Sequence, residues 1–156
     1  MRAVLIGVGN RLRGDDGAGP AVAELARRTL PSGVCVVTCE EEPSRLIESW
    51  RSADVAVLVD ALEPAGAPGA VWRFDATGRA LPARSFRSST HAFGVGETIE
   101  LARALGTLPR RLIVYGIEGA VFDAGSAMTE EVVQALEGVA RRIVDEIEEA
   151  TCTSAR

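Results

Sequence analysis

The stretch that decides the fold is Met1-Arg-Ala-Val-Leu-Ile-Gly-Val-Gly-Asn-Arg-Leu-Arg-Gly-Asp-Asp-Gly-Ala-Gly-Pro20. Residues 3–8 form a short apolar run bounded by glycine, which predicts a strand buried on both faces. Pro20 suits the first position of a helix, and apolar residues follow at helical spacing: Val22, Leu25, Ala26 and Leu30. Because ligands bind at the carboxyl ends of strands in an open α/β sheet, the loop between this strand and this helix is the first candidate site.

That loop combines glycines with two adjacent carboxylates. Its glycines indicate a backbone that is unusually bent or closely approached by another group: Gly7, Gly9, Gly14, Gly17 and Gly19. A dinucleotide-binding motif is excluded, because Leu12 stands where a third glycine would pack and because Asp15 and Asp16 would repel a pyrophosphate. A phosphate-binding loop needs a lysine, whereas all 17 basic residues are arginine. The carboxylates instead suit a cation, a water molecule or a proton.

Composition limits the possible partners. A chain of 156 residues is most simply one domain, and we assign it to residues 1–150 with a flexible tail at 151–156. A net charge of −5 and a pI near 5.0 argue against nucleic acid or an anionic membrane as partner. The N-terminus is predicted to be a strand rather than a signal peptide and no apolar run reaches membrane-spanning length, so we expect a cytoplasmic protein. Three cysteines do not make a disulfide framework.

Apolar periodicity predicts the remaining elements. We expect strands at 34–38, at 55–59 ending in Asp60, at 70–74 and at 112–116, and helices at 44–50, 94–105 and after a capping Thr129. The predicted inward stripes are Leu46, Ile47 and Trp50 in the first of these helices, Ile99, Leu101, Ala102 and Leu105 in the second, and Val132, Leu136, Val139, Ile143 and Ile147 in the third. Alternating strands and helices predict a three-layer α/β/α fold. Its twisted, mixed, mostly parallel sheet has about five strands, and the strand at 70–74 is antiparallel through a hairpin.

Three side chains could share one edge of that sheet. Asp16 follows the first strand, Asp60 ends the third, and His91, the single histidine, precedes a helix. Parallel strands would bring both carboxylates to the same edge, where the trio suits nickel, zinc or manganese, or acid–base activation of water. The alternatives are structural: a carboxylate cap for Asp15, an Asx-turn before Pro64 for Asp60, and a structural histidine.

Other constellations are weaker. Ser88 or Ser89 beside His91 lacks the strand–turn motif of a serine hydrolase. Cys39 beside His91 would be a poor thiol nucleophile, because three neighbouring glutamates raise its pKa. We interpret those glutamates, residues 40–42, as a solvated loop.

With these residues placed, the sequence resembles the hydrogenase maturation proteases, which remove the C-terminal extension of a [NiFe]-hydrogenase large subunit. The resemblance lies in Gly7-Val-Gly-Asn-Arg-Leu-Arg-Gly-Asp-Asp-Gly-Ala-Gly19, in Val57-Leu-Val-Asp-Ala61 with Pro68-Gly69, and in Ser89-Thr-His91. It continues through Tyr115-Gly-Ile-Glu118 and the last helix, so it covers nearly the whole chain.

The resemblance implies an endopeptidase whose partner is the large-subunit precursor. It implies that Asp16, Asp60 and His91 contact nickel supplied by that substrate rather than tightly held, and that either aspartate could activate the attacking water. The chain departs from the family in two places: many relatives carry glutamate at position 16 and a glycine-rich loop where residues 38–43 are acidic. Two rival functions stay open: a non-catalytic factor that binds nickel or the large subunit, and a small-molecule metal-dependent amidohydrolase.

Overall fold

The computed structural model describes residues 1–82 and 94–152. Within them lies one mixed sheet with the strand order β2-β1-β3-β5-β4. The strands are β1 (Ala3–Val8), β2 (Cys35–Cys39), β3 (Val55–Leu62), β4 (Val71–Asp75) and β5 (Arg111–Glu118). All neighbours are parallel except β4, which runs antiparallel to β5. The predicted α/β fold and the mixed sheet are therefore confirmed.

Four helices cover the two faces of the sheet. They are α1 (Ala18–Arg27), preceded by a short 3₁₀ helix (Gly14–Gly17), α2 (Pro43–Trp50), α3 (Val95–Ala104) and α4 (Glu130–Cys152). Successive residues of a strand point to opposite faces, so Leu5 packs in the core with α1 and α4, whereas Ile6 packs in the core with α2 and α3. Every residue of β1 and β3 is buried, as the continuous apolar runs predict.

Several boundaries differ from the prediction because they depend on partners distant in sequence. β3 does not end at Asp60 but continues to Leu62, since its last three residues pair with β5. The prediction of a hairpin at 70–74 was wrong, because β4 pairs with β5 rather than with the preceding strand. β2 lies one residue later than expected, and α2 begins one residue earlier, at Pro43.

The helices show two further differences. α1 begins at Ala18, so Pro20 is its third residue rather than its first, and Leu30 lies beyond its end. In α3 the predicted stripe was wrong for Leu101 and Leu105, which are exposed; the buried face is Val95, Thr98, Ile99 and Ala102. The stripe of α4 is confirmed, and the helix extends into the predicted tail as far as Cys152, the last described residue.

The strand order places a crevice between β1 and β3. From β1 the chain passes through α1 to β2 on one side, and from β2 through α2 to β3 on the other side of β1. In open α/β sheets, ligands bind where the strand order reverses in this way, outside the carboxyl ends of the strands. None of the helices in residues 1–82 and 94–152 combines the length and the apolar character that crossing a bilayer requires.

Candidate functional site

The candidate site lies at the carboxyl ends of β1 and β3. Gly7 pairs with Val59, so Val8 and Asp60 are the next residues of the two strands. Gly19, in the first turn of α1, packs directly on these strand ends: a Cβ there would overlap the Val8 carbonyl oxygen and lie 2.5 Å from that of Val59. The glycines therefore let the start of α1 approach the sheet closely, which holds the loop containing Asp16 against the end of β3.

Asp16 is half-buried in the 3₁₀ helix. Its Oδ2 accepts a hydrogen bond of 2.9 Å from the backbone N–H of Asn10. Gly9, beside Asn10, has φ +136°, and a Cβ there would overlap the Asp16 carbonyl oxygen. The loop between β1 and α1 thus folds back on itself and fixes the direction of the Asp16 carboxylate.

Asp60 is the most unusual side chain of the site. It is completely buried; Oδ1 accepts a hydrogen bond of 2.8 Å from the Ala61 N–H, whereas Oδ2 is buried without a hydrogen-bond partner among the described residues. Burial raises the pKa of Asp60 well above its usual range, and the negative charges of Glu41 and Asp16 raise it further. Because Asp60 lies within β3 and binds the next N–H, it does not form the Asx-turn that we considered as an alternative.

The neighbouring Asp15 is structural. It is also completely buried, but its carboxylate accepts hydrogen bonds from the N–H groups of Ala120, at 2.7 Å, Val121, at 3.0 Å, and Thr129, at 2.7 Å. The Thr129 hydroxyl donates to the same carboxylate, at 3.1 Å from Oδ1. The structural interpretation of Asp15 is thus confirmed, although it binds amides in the segment before α4 rather than those of α1.

The acidic loop, residues 40–42, is exposed at Glu40 and Glu42, as interpreted, and half-buried at Glu41. The Glu40 carboxylate accepts a hydrogen bond of 3.1 Å from the Asn10 side chain, and the negative charge of Glu41 helps to raise the pKa of Asp60. Sequence reasoning therefore missed Glu41 and Asn10. One signal could have found them: the carboxyl end of β2 must lie at the same edge as those of its parallel neighbours.

The weaker nucleophile candidates gain no support. Burial raises the pKa of Cys39 to about 11, and Asp60 and Glu42 add to this rise, so its thiol stays protonated near neutral pH. Burial, rather than the neighbouring glutamates that we expected, is the largest cause of this rise in pKa. Ser88, Ser89 and His91 lie outside the described residues.

Two of the three predicted metal-contacting residues, Asp16 and Asp60, lie close enough for the charge of one to act on the other. The third, His91, is outside residues 1–82 and 94–152. Within those residues, no three His, Cys, Asp or Glu side chains are grouped so as to hold a metal ion. The described part of the site is therefore a pair of carboxylates with a buried, unsatisfied oxygen.

Comparison with known proteins gives consistent results. A family model described as hydrogenase maturation protease matches residues 20–146. The hydrogenase expression/formation protein HupM of Azotobacter chroococcum is 32% identical over 139 residues, which cover 86% of this chain and 66% of that protein. HoxM of Azotobacter vinelandii is 30% identical over 143 residues, covering 88% and 68%. The chain thus spans about two thirds of the length of these relatives.

Solved structures share the fold over almost their full length. The hydrogenase maturating endopeptidase HybD from Escherichia coli superposes with a TM-score of 0.76 at 20% identity, covering 96% of this chain and 94% of that one. The solution structure of the endopeptidase HycI from Escherichia coli gives a TM-score of 0.72 at 27% identity, covering 95% and 92%.

Proposed function

The chain belongs to the hydrogenase maturation protease family, a family of peptidases, and we propose that it is an endopeptidase that removes the C-terminal extension of a [NiFe]-hydrogenase large-subunit precursor. We propose further that it uses the nickel of that precursor as its recognition signal. The relatives are named for hydrogenase formation and maturation, which supports the choice of substrate.

The observation that carries this proposal is the buried Asp60 Oδ2, which has no hydrogen-bond partner within residues 1–82 and 94–152. An unsatisfied buried polar atom costs roughly 1–3 kcal/mol, and a second carboxylate beside it adds repulsion. A divalent cation offsets both costs, because it supplies the missing partner and neutralises the charge of Asp16 and Asp60 together. Carboxylates are acceptable ligands for a borderline cation such as nickel, so the donor set fits.

His91 is the third ligand in this proposal. The described helix α3 returns the chain to the amino end of β5, so its first residue, Val95, lies at the same edge of the sheet as the ends of β1 and β3. His91 precedes Val95 by four positions in the sequence, which makes it the candidate for this ligand. An imidazole would complete a set of three protein ligands and leave positions open for groups of the substrate.

The chemistry proposed for the chain itself is activation of water. A carboxylate within hydrogen-bonding reach of a water molecule can orient it and accept its proton as it attacks the scissile carbonyl carbon. Asp16, which is half-buried and so reaches solvent, is the candidate for this role, and the proton then passes to the amine that leaves. Asp60 is buried, and burial raises its pKa well above the usual range.

The experiment is co-expression of the precursor with this chain in a host that lacks its own maturation protease. We expect the wild-type chain to convert the precursor to the shorter form on a denaturing gel, and Asp16→Asn, Asp60→Asn and His91→Ala to leave it unprocessed. Glu48→Gln is the control, because Glu48 is exposed and pairs with the exposed Arg51. Unprocessed precursor that co-purifies with the wild-type chain would instead favour a non-catalytic binding factor.

A further inference from the structure

Trp72, on the edge strand β4, lies in the same row of the sheet as Asp60. Gly116 of β5 pairs with Asp60 on one side and with Trp72 on the other, so the three residues point to one face. That face is the one covered by α2 and α3, because Leu58 and Phe74, two residues away along the two strands, both pack there. Two strand spacings of roughly 4.8 Å place the Trp72 backbone about 10 Å from that of Asp60.

The cover over this face ends before Trp72. Asp60 is completely buried, whereas Trp72 in the same row is 53% exposed. Phe74 is half-buried and packs against the core with α2 and α3, so the described helices cover its row and leave Trp72 open to solvent. Single exposed aliphatic residues such as Leu105 are ordinary, but tryptophan is highly buried on average. An exposed indole in the row of the candidate site is therefore an unusual feature.

The surface between the candidate site and the indole is apolar. Gly116 leaves a gap in the row, and the Leu62 side chain fills it: a Cβ on Gly116 would lie 2.6 Å from the Leu62 Cγ. Side chains alternate along β4, so Arg73 points to the opposite face, where it pairs with Glu146 of α4 at 2.6 Å. This surface therefore suits an apolar side chain rather than a charged one.

We propose that Trp72 is a specificity-determining residue, whose indole binds an apolar side chain of the large-subunit precursor close to the cut. An extended chain advances about 3.3–3.6 Å per residue, so a span of about 10 Å places that side chain about three residues from the peptide bond held at the carboxylates. This inference rests on the proposed function and assigns part of the substrate recognition to the edge strand. Tryptophan is enriched among the residues that dominate binding at protein interfaces.

The first test uses the fluorescence of Trp72 in the full chain. Trp50, the other tryptophan, is completely buried, so acrylamide should quench mainly the emission of Trp72. The probe is a synthetic, tryptophan-free peptide that spans the cut in the precursor. We expect it to protect Trp72 from quenching and to shift its emission to shorter wavelength. A second peptide, with serine in place of the apolar residues within four positions of the cut, should do neither.

The second test measures the rate of precursor processing. Trp72→Thr, which keeps a good strand-forming residue, should raise KM by about tenfold or more and change kcat by less than about twofold. Trp72→Phe, which keeps an aromatic ring, should recover part of the affinity. Leu105→Thr is the matched control: Leu105 is 61% exposed but lies at the end of α3, where the chain approaches the amino end of β5, so we expect an unchanged KM.

Three results would overturn the inference: equal quenching of Trp72 with and without the peptide, equal KM values of Trp72→Thr and Leu105→Thr, or a fall in kcat at unchanged KM. The first two remove the contact with substrate, and the third makes the role of Trp72 structural. A wild type whose Trp72 is protected by the peptide, but which cuts no precursor, would reject the proposed protease and support the binding role. A wild type that cuts the precursor while Trp72 stays quenchable would reject this inference alone.

Discussion

Adjacent aspartates with opposite roles give the sharpest prediction. Asn replaces Asp with almost the same shape, but it substitutes an NH₂ group for one acceptor oxygen. At Asp15 each oxygen accepts from at least one backbone N–H, so Asp15→Asn leaves at least one buried N–H facing a donor. At Asp16 the carboxylate accepts a hydrogen bond from the Asn10 N–H, and the side chain is half-buried, so water can replace the lost acceptor.

The expected magnitudes differ accordingly. One buried N–H left without an acceptor costs roughly 1–3 kcal/mol, and the remaining bonds of Asp15 lose the strength that its charge gives them, so we expect a total of about 2–4 kcal/mol. For a chain of this size that lowers the unfolding temperature by roughly 4–16 °C. Asp16→Asn should cost less than about 1 kcal/mol.

The assay is thermal unfolding followed by circular dichroism, together with processing of the precursor below the unfolding temperature. Asp123→Asn is the control, because it makes the same change at an exposed position of the segment that Asp15 binds. We expect Asp15→Asn to be unstable but to process the precursor, and Asp16→Asn to be stable and inactive. Equal stabilities of the two variants, or a folded Asp15→Asn that processes nothing, would refute this division of roles.

Three further predictions follow from the packing and the charges. Asp60→Asn should raise the unfolding free energy, because it removes the repulsion that Glu41 and Asp16 exert on the buried Asp60 carboxylate; a less stable variant in chemical denaturation would contradict this. Gly19→Ala should cost about 3 kcal/mol or more by forcing α1 away from the sheet, whereas Gly138→Ala, in open space on α4, should stabilise the fold by up to about 1 kcal/mol; similar unfolding temperatures would reject the close approach. The hydrogen bond from Arg73 lowers the folded-state pKa of Glu146 below its usual 4.5, so its stabilisation should be present above that pH and lost as the pH falls further. Glu146→Gln should therefore flatten the decline in stability below pH 4.5, and an unchanged acid profile would contradict the assignment.

The sequence predicted the buried residues correctly where the pattern of apolar residues within one element decides them. The burial of β1 and β3 follows from continuous apolar runs, and the buried stripe of α4 follows from its spacing. The stripe of α3 was predicted wrongly at Leu101 and Leu105, because spacing defines a range of directions and only packing against the sheet and α2 selects among them.

In the candidate site, too, some features follow from local sequence and others depend on residues distant in the chain. Its place after β1 follows from the glycine-rich loop, and the pairing of Asp16 with Asp60 follows from parallel topology. What separates Asp15 from Asp16 is a set of donors more than a hundred residues away, at Ala120 and Thr129, which no local pattern reveals. The approach of Glu41 to Asp60 likewise depends on where the loop after β2 lies on the finished sheet.

The most direct test of the proposed function is the intact mass of a purified large-subunit precursor after incubation with this chain. The precursor should be prepared in nickel-loaded and nickel-free forms, with Asp16→Asn as the inactive comparison. We expect the loaded precursor alone to lose a C-terminal peptide, and only with the wild-type chain. Equal cleavage of both forms would contradict the role of nickel as signal, and an unchanged mass of the loaded precursor would contradict the assignment as its protease.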